Sequence, residues 1–450
     1  MLTEAPPAEL TQPAPLAPSI ARRLWLRWER DNLLRNTAFI MATTVVNGAV
    51  GYVYWIAAAR VGDPAEVGIA TSLVAILFLT SMATNLGMGP ALIQALPRAV
   101  DDRRWSCLVN VAVLVGLVAG VAGSAVGLLF LPALVPEVSA TLRHPAGAAL
   151  FMLGAGVFTA TQYLDCAFVS ERRGGRMLTR NIAFALAKLA FLVAPYAVVG
   201  RVTAGTIVGS FVLGSALSLG VGFVQLRGLP HTYHPTLVGA RDALRSLRGS
   251  LAAHHLAWFG ANVPQYVLPS LVVVRLSATS NAFFSMAWTV GAVFFMISPA
   301  VGGALFVEGT DGGHTLGRGT RKSALLITGA LGPAMVVFLL FGAEIMRLFG
   351  REYAGATVTL LRLLVISAVP DAVTNVYTAV LRVQGRLRTA AVLNVGIAVL
   401  ALAGAWVLLP THGIIGAGWA WIGAQVAGCA LVVADRLLQR RPSMVAISSA

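Results

Sequence analysis

The chain has 450 residues, 57% of them hydrophobic and only 11% charged, with a mean hydropathy of +0.78. No soluble core of this length needs so much apolar surface, so the composition excludes a soluble globular protein. The 33 Lys and Arg outnumber the 18 Asp and Glu, and the net charge of +15 would suggest nucleic acid in a soluble chain; here the positions of the charges explain it differently.

Residues 1–20 are rich in Pro and Ala, show no periodicity and read as disordered. Residues 20–35 fit an interfacial helix, with Leu24 and Trp28 on one face and arginines around it, as on anionic lipid. Beyond this N-terminal region (1–35), twelve apolar stretches tile the chain. Each is long enough to cross a bilayer, which takes roughly 20 residues at about 1.5 Å of rise each. They are spans 1 to 12, at 36–60, 68–96, 105–131, 146–170, 176–200, 203–226, 253–275, 280–307, 323–346, 355–381, 389–409 and 413–436. The string Ala57-Ala58-Ala59 resembles a cleavage site, but the preceding apolar run is too long for a signal peptide, so span 1 reads as uncleaved.

With a cytoplasmic N-terminus, 25 of the 33 basic residues lie in segments on that side. Six lie in the opposite loops (Arg60, Arg143, Arg201, Arg275, Arg347 and Arg351), and Lys188 and Arg362 lie within spans. The positive-inside rule then places both termini in the cytoplasm of a multi-pass protein of the cell membrane, and no nucleic-acid partner is needed. The three cysteines, Cys107, Cys166 and Cys429, fall in or beside spans with no spacing that suggests a disulfide or a metal site.

The longest interruption, 227–252, carries Pro230, Pro235 and four arginines. It divides the chain into an N-lobe (36–226), a cytoplasmic linker (227–252), a C-lobe (253–437) and a cytoplasmic tail (438–450). The halves echo one another. Spans 1 and 7 each leave the membrane at an arginine, Arg60 and Arg275, and spans 4 and 10 each lead into a Gly-Arg turn, Gly175-Arg176 and Gly385-Arg386. Corresponding spans are six apart, so the repeat is parallel, an arrangement that places a cavity between two lobes. The fold class is all-α: a polytopic membrane protein with twelve transmembrane helices in two six-helix lobes around a central cavity.

The loops opposite the linker are short, the longest covering 132–145. Membrane glycosyltransferases and polymerases carry larger soluble loops with clustered acids. No phosphate-binding GxxxxGK loop, HExxH helix or GxSxG elbow occurs. The chain is therefore not expected to be an enzyme, and no cofactor or metal is implied.

Polar residues within spans are costly and mark sites. Lys188 sits mid-way along span 5, with Asn181 seven residues before it on the same face; it meets water, a partner or a ligand, or else forms a structural ion pair or snorkels. Asp371 sits mid-way along span 10 with Asn375 one turn on, and carries a proton or cation or pairs with a base. Arg362, in the same span, is half a rotation away and either meets ligand or snorkels outward. Asp165, near the inner end of span 4 and close to Arg172 and Arg173, is an ion pair, a cap or a coupling group. In span 7, Pro264 and Pro269 flank Asn262 and Gln265, which suggests a broken helix lined with amides, or else a packed kink. His254 and His255 at its inner end read as interfacial, and Glu308 and Glu344 at span ends as solvated. Thr43, Asn47 and Tyr54 form a thinner polar stripe on span 1, and the pairs Gly116/Gly120 and Gly123/Gly127 read as close-packing sites.

The start of the membrane region resembles the opening of Wzx-type flippases of the polysaccharide transport family. Arg60, Pro64, Glu66 and Gly68 match its span 1 exit and span 2 start, and Leu86-Gly87 its turn near the end of span 2. The C-terminal region is similar too, with the Gly-Arg turn before span 11 and Gly413, Gly416 and Gly418 opening span 12. The resemblance covers all twelve spans and implies the multidrug/oligosaccharidyl-lipid/polysaccharide exporter superfamily. It implies transfer of a polyprenyl-pyrophosphate-linked glycan to the outer leaflet by alternating access. Lys188, Arg362, Asn181, Asn47, Asn262 and Gln265 would line the cavity, and Asp371, Asn375 and Asp165 would serve ion coupling. Membrane lipids, and the glycan polymerase and glycosyltransferases of the same pathway, are the implied partners. The alternatives are an ion-coupled drug antiporter of the same superfamily, opposed by spans 1 and 7 lacking carboxylates, and a membrane-embedded glycan polymerase or glycosyltransferase. A lipid II flippase is disfavoured by twelve spans rather than fourteen.

Overall fold

The structure, a computed structural model, describes residues 32–247, 252–310 and 316–439, without side chains at 32–34, 37, 252–258, 260, 261, 299–310, 316–328 and 330. The expected N-terminal tail, most of the interfacial helix, the C-terminal tail beyond Gln439 and the side chains of His254, His255 and Glu308 lie outside the described residues.

Among the described residues there are fifteen α-helices and no β-strand, only an isolated bridge between Gly62 and Val202. Twelve of the helices fall on the expected spans. Spans 1 to 6 are Asn32–Val61, Pro64–Thr84, Asp102–Leu134, Pro145–Ser170, Gly174–Val199 and Ala204–Leu226. Spans 7 to 12 are Ala252–Arg275, Ala278–Thr310, Leu316–Arg347, Arg351–Val383, Leu387–His412 and Ile414–Gln439. Ten of these are long and apolar enough to cross a membrane on their described residues alone. Their outward faces carry exposed Val118, Leu129, Leu186, Val193, Val399 and Val407, a surface suited to acyl chains rather than water.

Local chemistry sets the helix starts. Asp63 caps span 2 by accepting from the Ala65 amide at 2.8 Å, with Pro64 in the first turn. Asp101 caps span 3 by accepting from the Arg104 amide at 2.6 Å, and Thr203 caps span 6 by accepting from the Thr206 amide at 3.3 Å. Span 2 is shorter than the expected 68–96. It stops at Thr84, and a separate helix, Met88–Ala95, follows. The break is the Leu86-Gly87 turn, where both residues are left-handed (φ 51° and 68°), a conformation that no helix continues through. Span 7, by contrast, stays one helix through Pro264 and Pro269. Spans 2 and 11 pack along it, so the proline sites are supported by protein rather than opened. Of the glycine pairs, Gly116, Gly120 and Gly123 abut Tyr163, Ala155 and Thr84, whereas Gly127 faces open space.

The same helix pairs pack in both halves: spans 3–4 and 9–10, 5–6 and 11–12, 1–5 and 7–11, 4–6 and 10–12, and 2–3 and 8–9. The Gly-Arg turns also do the same work. Arg176 donates from the start of span 5 to the Gln225 and Gly228 carbonyls at the end of span 6. Arg386 donates from the start of span 11 to Asp435 near the end of span 12, at 2.8 and 2.9 Å. Two equivalent bundles in parallel orientation follow.

The halves meet through span 2 of one against spans 7 and 8 of the other, at the end opposite the linker. Asn281 donates to the Gly68 carbonyl at 2.7 Å and to Thr71 at 3.0 Å, Ser285 donates to Thr71 at 3.1 Å, and Ser72 and Ser270 share a hydrogen bond at 2.9 Å. Arg60 donates to the carbonyls of Leu348 (2.8 Å) and Arg347 (2.9 Å), capping the C-terminal end of span 9. Glu137, on the short helix Pro136–Leu142, accepts from the Ala278 amide at 3.1 Å. Tyr52 lies edge-on to Phe349 at 5.3 Å. This end is closed.

Candidate functional site

Lys188 is carried on span 5 at the closest approach of span 6: a Cβ on Gly214 would lie 3.0 Å from the Lys188 amide nitrogen. Its side chain is buried inside the N-lobe, at 6% exposure. The ammonium lies over three rings at once, Phe211 at 4.8 Å, Phe184 at 4.9 Å and Tyr54 at 5.0 Å from their centroids. Phe184 comes from the preceding turn of the same helix, Tyr54 from span 1 and Phe211 from span 6. The Tyr54 hydroxyl is fixed by a hydrogen bond shared with Ser210 at 2.7 Å, and Phe78 and Phe158 back the Phe211 ring at 6.4 and 6.5 Å. Among the described residues Lys188 has no carboxylate partner and makes no hydrogen bond. Ring faces attract a cation but do not neutralise it.

Next to this box on span 5 is a polar network. Asp165 accepts from Arg180 in a two-pronged pair, from Nε at 2.9 Å and Nη2 at 2.5 Å, and Arg180 also donates to Ser218 at 2.7 Å. Its neighbours in sequence, Arg172 and Arg173, are not its partners. Asn181 donates to Asp165 at 3.4 Å and to the Met177 carbonyl at 2.9 Å, and accepts from Asn47 at 2.9 Å. The Asn47 side-chain oxygen is buried without a partner. Asp165 is thus held by a buried cation, and the asparagines tie spans 1, 4 and 5 together. Removing the carboxylate leaves Arg180 uncompensated at 4% exposure. Asp165→Asn is expected to destabilise the protein by about 3 kcal/mol, the low end for a buried pair because the carboxylate side chain is 21% exposed. Arg180→Met added to Asp165→Leu should recover most of the loss, read as thermal melting in detergent.

Among the described residues the C-lobe holds a lone carboxyl group in its interior. Asp371, at 5% exposure, accepts from Ser298 at 2.9 Å, Asn375 at 2.9 Å and Gln425 at 3.1 Å. Thr374 donates to Gln425 at 3.0 Å, which aims the Gln425 amide at the carboxylate. No Lys or Arg pairs with Asp371 among the described residues. Arg362 is not part of this group. It lies on the opposite, exposed face of span 10, in line with Ile366, Val369 and Val373. Gln265 donates to Asn262 at 3.0 Å along span 7, while the neighbouring Tyr266 stacks on Phe78 of span 2 at 5.9 Å.

The candidate residues therefore resolve into one buried group per lobe, with Arg362 and the span 7 amides outside both. Sequence reasoning missed Arg180, Phe184, Phe211, Ser298 and Gln425 as site residues, and placed Tyr54 only in the polar stripe of span 1. Gln425 carried a signal, being an amide in the middle of an apolar span. The two phenylalanines carried none, since aromatic residues in spans are ordinary packing.

No family model matches the chain, and no curated protein matches it in sequence. Solved structures do match. An inward-facing multidrug resistance MATE family transporter of the MOP superfamily superposes with a TM-score of 0.71 at 14% identity, over 87% of this chain and 94% of that one. The lipid II flippase MurJ in an inward closed conformation gives 0.67 at 11% identity, over 88% and 87%. An outward-facing MATE family transporter gives 0.61 at 14% identity, over 92% and 97%. The chain has the fold of these proteins.

Proposed function

We propose that the protein is a transporter of this superfamily that moves a polyprenyl-pyrophosphate-linked oligosaccharide from the inner to the outer leaflet of the cell membrane by alternating access. The observation that carries the reading is the buried Lys188 side chain, whose ammonium lies over three rings with no carboxylate partner among the described residues. Such a charge in a low-dielectric interior attracts a pyrophosphate or sugar acid and repels a cationic drug. Asp371 takes the coupling role. Three neutral donors hold its carboxylate, and a proton or monovalent cation would complete it. The same carboxylate favours the second reading, an ion-coupled antiporter of small molecules. The two are separated by cargo. Reconstituted protein should expose a lipid-linked oligosaccharide to an outer-leaflet lectin, and it should not drive efflux of a cationic dye. Dye efflux without glycan translocation would reverse the order of the two readings. The glycosyltransferases that build the glycan and the polymerase that extends it are the proposed partners.

The linker end is read as cytoplasmic, with both termini, because most basic residues lie there. Reporter fusions after Arg60, Arg143 and Arg201 are expected to report the outside. A cytoplasmic signal from any of the three breaks the twelve-span orientation.

A further inference from the structure

We propose that the linker end of the N-lobe carries a binding pocket for the phosphate head group of an inner-leaflet lipid, formed by Arg98, Arg104 and Gln94. The pocket has a volume of about 340 Å³ and lies where the short helix Met88–Ala95, the start of span 3 and the linker helix Ala240–Leu247 converge. Its lining includes both arginines, Gln94, Leu108 and Ser246.

The nearby carboxylates are engaged elsewhere. Asp101 accepts from the Arg104 amide as the cap of span 3, and Asp102 pairs with His231 at 2.9 Å. Glu171 accepts from the Trp105 indole at 2.8 Å. Neither Arg98 nor Arg104 has an ion pair among the described residues, and the one side-chain hydrogen bond of Arg104 is a long donation to the Gly239 carbonyl at 3.4 Å. Two arginines therefore line one concavity without an ion pair among the described residues. A phosphate with several acceptor oxygens suits them better than a carboxylate, because both guanidinium forks can be filled together.

Beside the pocket the linker is held firmly against span 3. The His231 ring stacks on Trp105 at 5.2 Å. Tyr233 donates to Asn110 at 2.7 Å, and Asn110 donates in turn to the carbonyls of His234 (3.1 Å) and Thr236 (2.9 Å). These bonds fix the linker across span 3, and the buried Ala243 and Leu247 seat its helix. Apolar side chains flank the arginines on both sides: Val100, next to the lining residue Ala99, is 89% exposed, and Val238, next to Gly239, is 85% exposed. A polar basic pocket bordered by exposed valines suits a lipid head group and the apolar chain attached to it. The site is separate from Lys188, and lipid retention rather than transport reads it.

Two lipids share this chemistry, an anionic glycerophospholipid and a polyprenyl diphosphate. The full-length protein in detergent would be titrated with phosphatidylglycerol and with undecaprenyl diphosphate and its retained lipid counted by native mass spectrometry. The double variant Arg98→Gln with Arg104→Gln is expected to retain at least one of them about tenfold less, while Arg241→Gln, an exposed arginine of the same linker helix outside the pocket, retains both as the wild type does. Loss of phosphatidylglycerol alone, or of both lipids, identifies a general anionic-lipid site; loss of undecaprenyl diphosphate alone identifies a loading site for the carrier. Arg98→Gln alone, at an exposed side chain, gives the same direction of change if the double variant does not fold. Equal retention by wild type and pocket variants, or an equal drop in Arg241→Gln, overturns the proposal.

Discussion

Lys188→Gln is expected to lower glycan-lipid translocation by about tenfold to a hundredfold, while expression and membrane insertion persist. Its basis is the absence of any counter-charge for the ammonium among the described residues: the three rings hold the cation, and the proposed anionic cargo would complete it. Losing one charge-assisted contact costs roughly 1.5–3 kcal/mol, which sets that range. Lys188→Arg keeps the charge and should retain more activity than Lys188→Gln. Lys188→Met is the sharper comparison, because it keeps the apolar stem and most of the packing against Phe184 and Phe211 but removes the charge. If Lys188 only fills the aromatic box, the methionine variant transports normally and melts at the wild-type temperature or above. Normal transport by that variant would remove Lys188 from the substrate path.

The two lobes also differ in a way that bears on coupling. Among the described residues the N-lobe interior has a carboxylate paired with a buried arginine, Asp165 with Arg180, and a lysine, Lys188, without a carboxylate partner; the C-lobe interior has Asp371 without a basic partner. The two lobes thus carry different interior groups, and under the proposed transport cycle an anionic cargo and a coupling cation would occupy different lobes without competing for one site.

The spans were legible in the sequence because the bilayer imposes a length on every helix, and the repeat was legible because Arg176 and Arg386 sit in matching turns. The electrostatic partners were not. Arg180 lies inside the expected span 5 (176–200) but counts in the sequence with the basic residues of the cytoplasmic side; in the structure it is a turn and a half into the helix and points inward at Asp165. The misreading comes from assigning a basic residue in the first turns of a span to the membrane surface, when a carboxylate partner can hold it inside the lobe. The rings around Lys188 were hidden for another reason: Phe211 comes from a distant span, and nothing in its own surroundings sets it apart from packing residues, while Tyr54 showed only as one member of the polar stripe on span 1. The prolines of span 7 misled in the opposite direction. Proline removes a donor in any context, but whether the helix breaks depends on what packs beside it, and here spans 2 and 11 do.

Gly68→Ala is expected to disable closure of the end opposite the linker. A Cβ at Gly68 would fall 1.7 Å from the Ala278 carbonyl oxygen, which belongs to the backbone and cannot rotate aside. One methyl group must therefore push span 2 away from the start of span 8. That displacement also strains the bonds from Asn281 to Gly68 and Thr71, which form the polar seam between the lobes. Overpacking of this kind costs about 1–3 kcal/mol, enough to shift a two-state equilibrium by roughly 5- to 150-fold toward the state open at that end. Ser72 and Ser270, whose hydroxyls lie 2.9 Å apart across the same seam, supply the readout. With Cys107, Cys166 and Cys429 replaced, the pair Ser72→Cys and Ser270→Cys should cross-link readily in the closed state and arrest transport until reduced. Adding Gly68→Ala should cut the cross-linking yield severalfold and leave the paired cysteines accessible to a membrane-impermeant thiol reagent. Cross-linking at the unaltered yield in the alanine variant would mean that the seam has slack enough for a methyl group, and that the glycine is not what lets this end shut.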